Sequence, residues 1–196
     1  MNEEESQISQ VSDGKSEVLV FIWETIKVVI ISLAIILPIR YYLVQPFFVK
    51  GASMEPNFED GDYLLVDELS YRFSVPERGD VIIFRYPQDP SQFFIKRIIG
   101  LPNETVEIKD NQIKIYNKER LEGFVLDESY LAFEQKTVGN SVTKTDDNEY
   151  FVLGDNRFQS SDSRRWGSVN KSLITGKAFL RPWPIGKDIK IPSVNY

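Results

Sequence analysis

The chain has 196 residues, 42% of them hydrophobic and 27% charged, with a formal net charge of -6. That length holds one domain, or a domain with a small lobe, and the composition is that of a folded protein. The acidic balance argues against a nucleic-acid partner, which would want a basic patch. The chain contains no Cys and no His. Disulfides, thiol nucleophiles, Cys- or His-ligated metals and a Ser-His-Asp triad are therefore excluded, and a hydrolase made from these residues must take its base from Lys, Asp, Glu or Tyr.

Residues 1–17 are polar and acidic, with Glu3, Glu4, Glu5, Asp13 and Glu17 against Lys15. With no apolar face, this segment is expected to be a disordered tail. From Val18 to Ile39 the chain is almost continuously apolar, long enough to cross a bilayer, which needs about 20 residues. Glu24 and Lys27 interrupt it, three apart and so on one helical face, where they can pair or snorkel. Trp23, Tyr41 and Tyr42 suit an aromatic belt at the two ends. The reading is a membrane anchor, with an amphipathic core helix as the alternative. A cleaved signal peptide is disfavoured by the acidic residues ahead of the run and the lack of an A-x-A site after it. Charge does not set the orientation, since Lys15 and Lys27 on one side are matched by Arg40 and Lys50 on the other.

After Pro46 the texture becomes short β-rich runs: 47–50, 63–67, 81–86, 93–99, 105–109, 112–117, 150–153 and 174–180. Turn signals separate them, among them Asp60-Gly61-Asp62, Arg78-Gly79-Asp80, Asp89-Pro90 and Asp110-Asn111. Residues 40–196 are therefore expected to form a mostly-β domain, a folded or barrel-like antiparallel sheet. The polar stretch 134–148 is expected to be a flexible loop.

Among the lysines, Lys114 alternates onto the wet face of its strand, whereas Lys96 sits inside Phe93-Phe94-Ile95-Lys96-Arg97-Ile98-Ile99 with Phe94 and Ile98 on its face. Burial there would push the amine toward neutrality and make it a competent base; a lysine paired to a carboxylate is the alternative. A lysine base needs a hydroxyl, and Ser53 in Gly51-Ala52-Ser53-Met54-Glu55-Pro56 is either that nucleophile or an ordinary loop serine. A third cluster, Gly154-Asp155-Asn156-Arg157 followed by Ser160-Ser161-Asp162-Ser163-Arg164, is a solvated loop or a hydrogen-bonded scaffold in which Asp162 and Arg164 can pair.

In order and spacing these stretches resemble the boxes of the bacterial type I signal peptidases, Ser-Lys serine proteases. Ser53-Met54-Glu55-Pro56 is similar to the serine box, Gly79-Asp80-Val81-Ile82-Ile83-Phe84 to a G-D-V-V-x-F strand, and Phe94–Pro102 to the lysine box. Gly154–Arg164 is similar to G-D-N-R-x-x-S-x-D-S-R. The resemblance runs from the anchor to about Trp183. It implies an endopeptidase that removes signal peptides from exported preproteins without metal or cofactor, Ser53 attacking and Lys96 taking its proton. It further implies that Ser160 hydrogen-bonds the lysine amine, that Asp162 and Arg164 hold that loop, and that the Ser53 N–H donates to the oxyanion. Met54 would shape the site. The partners implied are preprotein signal peptides and membrane lipid, at the plasma membrane in a single pass, with residues 1–17 cytoplasmic and the β domain outside. The lysine box and the final box lie close in sequence, so any non-catalytic lobe within about 103–148 must be small.

The sequence departs from the family's pattern in places. Gly51 stands where many members carry a serine whose hydroxyl is a second oxyanion donor. Asn57-Phe58 stand where Thr-Leu is common, and Asn103 where glycine is. The rival readings are a LexA-type self-cleaving protease, which would want a DNA-binding module in place of the anchor, and a catalytically silent anchored binding domain, which would be expected to have lost Ser53 or Lys96.

Overall fold

A computed structural model describes residues 3–42, 44–132 and 136–186, together with 188, 191 and 194. The chain divides into two compact units, Met1–Leu43 and Val44–Tyr196.

The first unit is one helix, α1 (Glu3–Tyr42). Its stretch Glu17–Leu37 is long and apolar enough to cross a membrane, and its large apolar side chains are exposed. Lys27 Nζ donates to Glu24 Oε1 at 2.5 Å, the pairing expected of charges one turn apart. The backbone is helical from Glu3 onward.

The second unit is β-rich and antiparallel throughout. Its strands are β1 (Val44–Phe48), β2 (Tyr63–Asp67), β3 (Val81–Tyr86), β4 (Asp89–Gly100), β5 (Thr105–Lys109), β6 (Gln112–Tyr116), β7 (Phe124–Val125), β8 (Ser141–Lys144), β9 (Glu149–Leu153), β10 (Val169–Asn170) and β11 (Ile174–Trp183). Seven form one sheet in the order β1-β2-β11-β3-β4-β9-β10, and four form a second, β7-β6-β5-β8. Two one-turn helices, α2 (Ser70–Phe73) and α3 (Ser163–Trp166), punctuate them.

Burial follows from the apolar pattern. In β3 the run Val81–Phe84 is buried residue by residue, as befits a strand covered on both faces. Val81 and Ile83 join Met54, Phe58, Leu64 and Val66 in one core, while Ile82 and Phe84 join Ile98, Tyr150 and Val152 in another. A third core, with Ile99, Val106, Ile108, Ile113, Ile115 and Phe151, draws on strands of both sheets. The hairpin β5–β6 turns on Asp110 and Asn111, both at positive φ (52° and 62°), the conformation that a two-residue hairpin loop demands and that Asp and Asn tolerate. The polar stretch 134–148 also needs correction. Residues 133–135 lie outside the described residues, but Ser141–Lys144 is a strand, because its backbone completes the open edge of β5. Asp89-Pro90, read as a turn, instead opens β4, with Asp89 opposite Tyr86.

Candidate active site

Ser53 lies in the loop between β1 and β2. That loop closes on itself through Val49 N–H to Asp62 O at 2.9 Å and Gly61 N–H to Val49 O at 3.0 Å. Within it a tight turn donates Glu55 N–H to Ala52 O at 3.2 Å and Phe58 N–H to Met54 O at 2.9 Å. The turn sends Met54 and Phe58, both fully buried, into the core and leaves Ser53 half-buried beside a groove. Burial of two large apolar side chains one helical turn apart contributes about 1.5–3 kcal/mol each and so fixes the serine's neighbourhood.

Lys96 is in the middle of β4, paired across to Ile82, and is only 3% exposed. Its Nζ donates to Ser53 Oγ at 2.7 Å and to Ile95 O at 2.7 Å, and lies 5.4 Å from the centre of the Phe94 ring. Burial pushes the Lys96 amine down to about 8, against the opposing pull of the Asp162 and Asp155 carboxylates. The shift brings the amine toward neutrality, and in the neutral state the same contact lets the Ser53 hydroxyl donate to it.

The segment after β9 closes the site from beneath. Arg97, adjacent to the lysine, holds Asp155 in a fully buried bidentate pair, Nε to Oδ1 at 2.9 Å and Nη2 to Oδ2 at 2.7 Å. Asn156 ties the serine loop down, its N–H donating to Ser53 O at 3.1 Å and its Nδ2 to Ala52 O at 3.0 Å. Asp162 caps α3. It accepts from Arg164 Nε and Nη2, each at 2.8 Å, and from Gly154 N–H at 3.2 Å. Burial pushes the Asp162 carboxyl up, but Arg164 and the Gly154 N–H outweigh this and hold it below its ordinary value. Gly154 is required by close approach: a Cβ there would run into the Ser160 side chain and the Ser53 carbonyl.

The structure thus brings Ser53 and Lys96 into contact and joins Asp162 to Arg164. Lys96 Nζ spends its bonds on Ser53 and Ile95, and Ser160 Oγ is buried without a hydrogen bond of good geometry, although it lies close enough to Asp162 to help keep that carboxylate ionised. The Ser53 N–H has no acceptor among the described residues. Gly51 has a φ of 83°, and its N–H is already given to Asp60 Oδ1 at 2.7 Å, so it supplies no second donor. Sequence reasoning missed the parts played by Arg97, Asp155 and Asn156. The signal was an arginine inside the apolar run of β4, a charge that cannot be buried there without a carboxylate.

A groove of about 670 Å³ runs past the serine, lined by residues 47–53 and 92–96 with Leu64, Ile83, Gln159 and Ser161. Among the described residues no acidic cluster is disposed to hold a metal.

A serine hydroxyl thus stands against a buried lysine amine beside an open, largely apolar groove. The chain belongs to the signal peptidase family, peptidase S26, which it matches over residues 22–183. It is 35% identical over 183 residues to a probable signal peptidase I-1 of Synechocystis sp., covering 90% of each chain. It is 38% identical over 165 residues to a signal peptidase I of Bacillus amyloliquefaciens, covering 79% of this chain and 81% of that one. A crystal structure of a signal peptidase I from Enterococcus faecalis V583 is 32% identical and matches 53% of this chain and 97% of its own, at a TM-score of 0.45, a superposition too partial to bear on the fold.

Proposed function

We propose that this protein is a membrane-anchored serine endopeptidase that removes signal peptides from exported preproteins, with Ser53 as nucleophile and Lys96 as general base. The observation that carries the reading is the 2.7 Å contact between Ser53 Oγ and a lysine amine whose burial brings it toward neutrality. Neutral Lys96 takes the Ser53 proton as Oγ bonds to the scissile carbonyl carbon, and the carbonyl oxygen becomes an oxyanion opposite the Ser53 N–H. Collapse of this adduct breaks the C–N bond, and the lysine ammonium gives its proton to the leaving amine, freeing the mature chain. Water, deprotonated by the amine that is neutral again, attacks the Ser53 ester. That releases the signal peptide as a carboxylic acid and returns the proton to Ser53.

Asp162, held by Arg164, fixes the loop that carries Ser160 beneath the pair. The substrate lies extended in the groove, its backbone pairing with a sheet edge while shallow pockets accept the small side chains of an A-x-A site. Residues 18–39 anchor the enzyme in the plasma membrane in a single pass. Residues 1–17 are cytoplasmic, and the β domain is on the outer side, where translocated cleavage sites emerge; membrane lipid is its surroundings.

Incubating the detergent-solubilised protein with a purified preprotein tests this. A single cut after A-x-A that disappears in Ser53→Ala is the expected result; no cut by a folded wild-type protein overturns the reading.

A further inference from the structure

A closed ring of contacts surrounds the reacting pair. Lys96 meets Ser53; Arg97, next along β4, grips both oxygens of Asp155; and Asp155 Oδ2 also accepts from the side-chain amide of Asn57 at 2.9 Å. From Asn57 the tight turn leads back to Ser53. The other amide hydrogen of Asn57 goes to Tyr130 O at 3.2 Å, and its own carbonyl accepts from Arg181 Nη1 at 2.7 Å. Tyr130 belongs to the same assembly, since its ring lies 4.5 Å from the Arg97 guanidinium carbon and its hydroxyl is 2.7 Å from Arg157 Nη2.

Asn156 also ties the serine loop, but to backbone atoms of Ala52 and Ser53. Asn57 is the residue of that loop whose side chain reaches the carboxylate held by the lysine strand. The residue type fits the task. Two acceptors, a carboxylate and a backbone carbonyl, need two donors from one short side chain; an amide has them, whereas a hydroxyl has one and an aspartate has none.

We infer that Asn57 is a positioning residue for the reaction: acting through Asp155 and Arg97, its amide sets the separation of Ser53 Oγ from Lys96 Nζ. The inference rests on those two residues being the reacting pair, and it goes beyond that assignment by adding a residue from outside the groove. Loosening the ring lets the serine drift, and a displacement of about 1 Å at a reacting atom costs about 100-fold in rate. Asn57 is not among the residues that line the groove, so the effect is expected on kcat far more than on KM.

The experiment compares the full-length wild type, Asn57→Leu, Asn57→Ala and Asn57→Ser in detergent. It measures kcat and KM on a preprotein per folded molecule, the latter from near-UV circular dichroism, across pH. The expected result is kcat about 100-fold lower in the Leu and Ala variants. KM stays within twofold, the pH midpoint does not move because the lysine stays buried, and Asn57→Ser, which keeps one donor, lies between. A kcat per folded molecule close to wild type in Asn57→Leu or Asn57→Ala overturns the inference, as does a rise confined to KM. So does loss of fold in all three variants, which makes Asn57 a stability residue only. Wild-type turnover and its loss in Ser53→Ala, run alongside, report separately on the assignment of the reacting pair.

Discussion

Lys96 has two reasons to be unusual, its depth and its proximity to Ser53, and each has its own measurement. Only the neutral amine can take a proton, so kcat should rise with pH through about 8. With no His in the chain, no imidazole limb is expected near neutrality. A steady fall in activity from pH 6 to 9 in folded protein would remove Lys96 from the mechanism. The same depression has a thermodynamic face. Between about 8 and the ordinary lysine value of 10.5 the native state has lost this proton while the unfolded chain keeps it, so stability rises with pH across that window. Lys96→Met should therefore be more stable than wild type at neutral pH, with a gap that narrows toward pH 10.5; urea titrations at stepped pH read it directly. Gly51 is the other informative residue. A Cβ there meets open space, yet the φ of 83° is one that L-residues hold at a cost of about 1–2 kcal/mol. Gly51→Ser should lower the melting temperature without raising kcat, because strain, rather than a new oxyanion donor, is what the substitution adds. A stable variant with raised kcat would show that the serine adopts the donor geometry after all.

At the scale of elements, the arrangement depends on β4 and the segment 154–164 being held together by charge in a dry interior. Arg97→Met would leave Asp155 buried without its guanidinium, and breaking such a pair costs about 3–5 kcal/mol. Equilibrium unfolding should show that loss, and cleavage should fall with it. How much of this was legible in the chain depends on where the stabilising contacts come from. Strands such as Val81–Tyr86 were readable because their own apolar residues demand burial on both faces. The meeting of Ser53 with Lys96 was readable because the missing Cys and His left lysine as a base to look for, and because the boxes around them stand in order. Strand Ser141–Lys144 was not readable: three of its four residues are polar, none is buried, and it is a strand because β5 offers an unpaired edge. The ring through Asn57, Asp155 and Arg97 was equally hidden, since its contacts join residues 98 and 58 apart in sequence and form only once the sheet has formed. The contacts of Ser160 Oγ were hidden as well, since a hydroxyl's partner depends on tenths of an ångström that no motif specifies.

Over the whole molecule, the division into Met1–Leu43 and Val44–Tyr196 argues that the chemistry belongs to the second unit alone. Every residue placed in the site, from Gly51 to Arg164, lies there, as do all the strands among the described residues and the three apolar cores. A fragment starting at Val44 keeps β1 and hence the edge of the larger sheet, so it should fold and cleave short A-x-A peptides in solution. It should not behave as an ordinary soluble enzyme, however. Phe48 beside the groove is 65% exposed, and Phe73, Trp183 and Ile185 are exposed as well. Apolar side chains of that size in water favour self-association, and detergent or lipid covers them. The fragment's rate on a peptide should therefore rise when micelles or vesicles are added, and Phe48→Ser should weaken that response while leaving the melting temperature nearly unchanged. A folded fragment that cuts no peptide under any lipid condition would place part of the working site on the first 43 residues. A fragment whose rate ignores lipid altogether would mean that these exposed side chains have no membrane to meet.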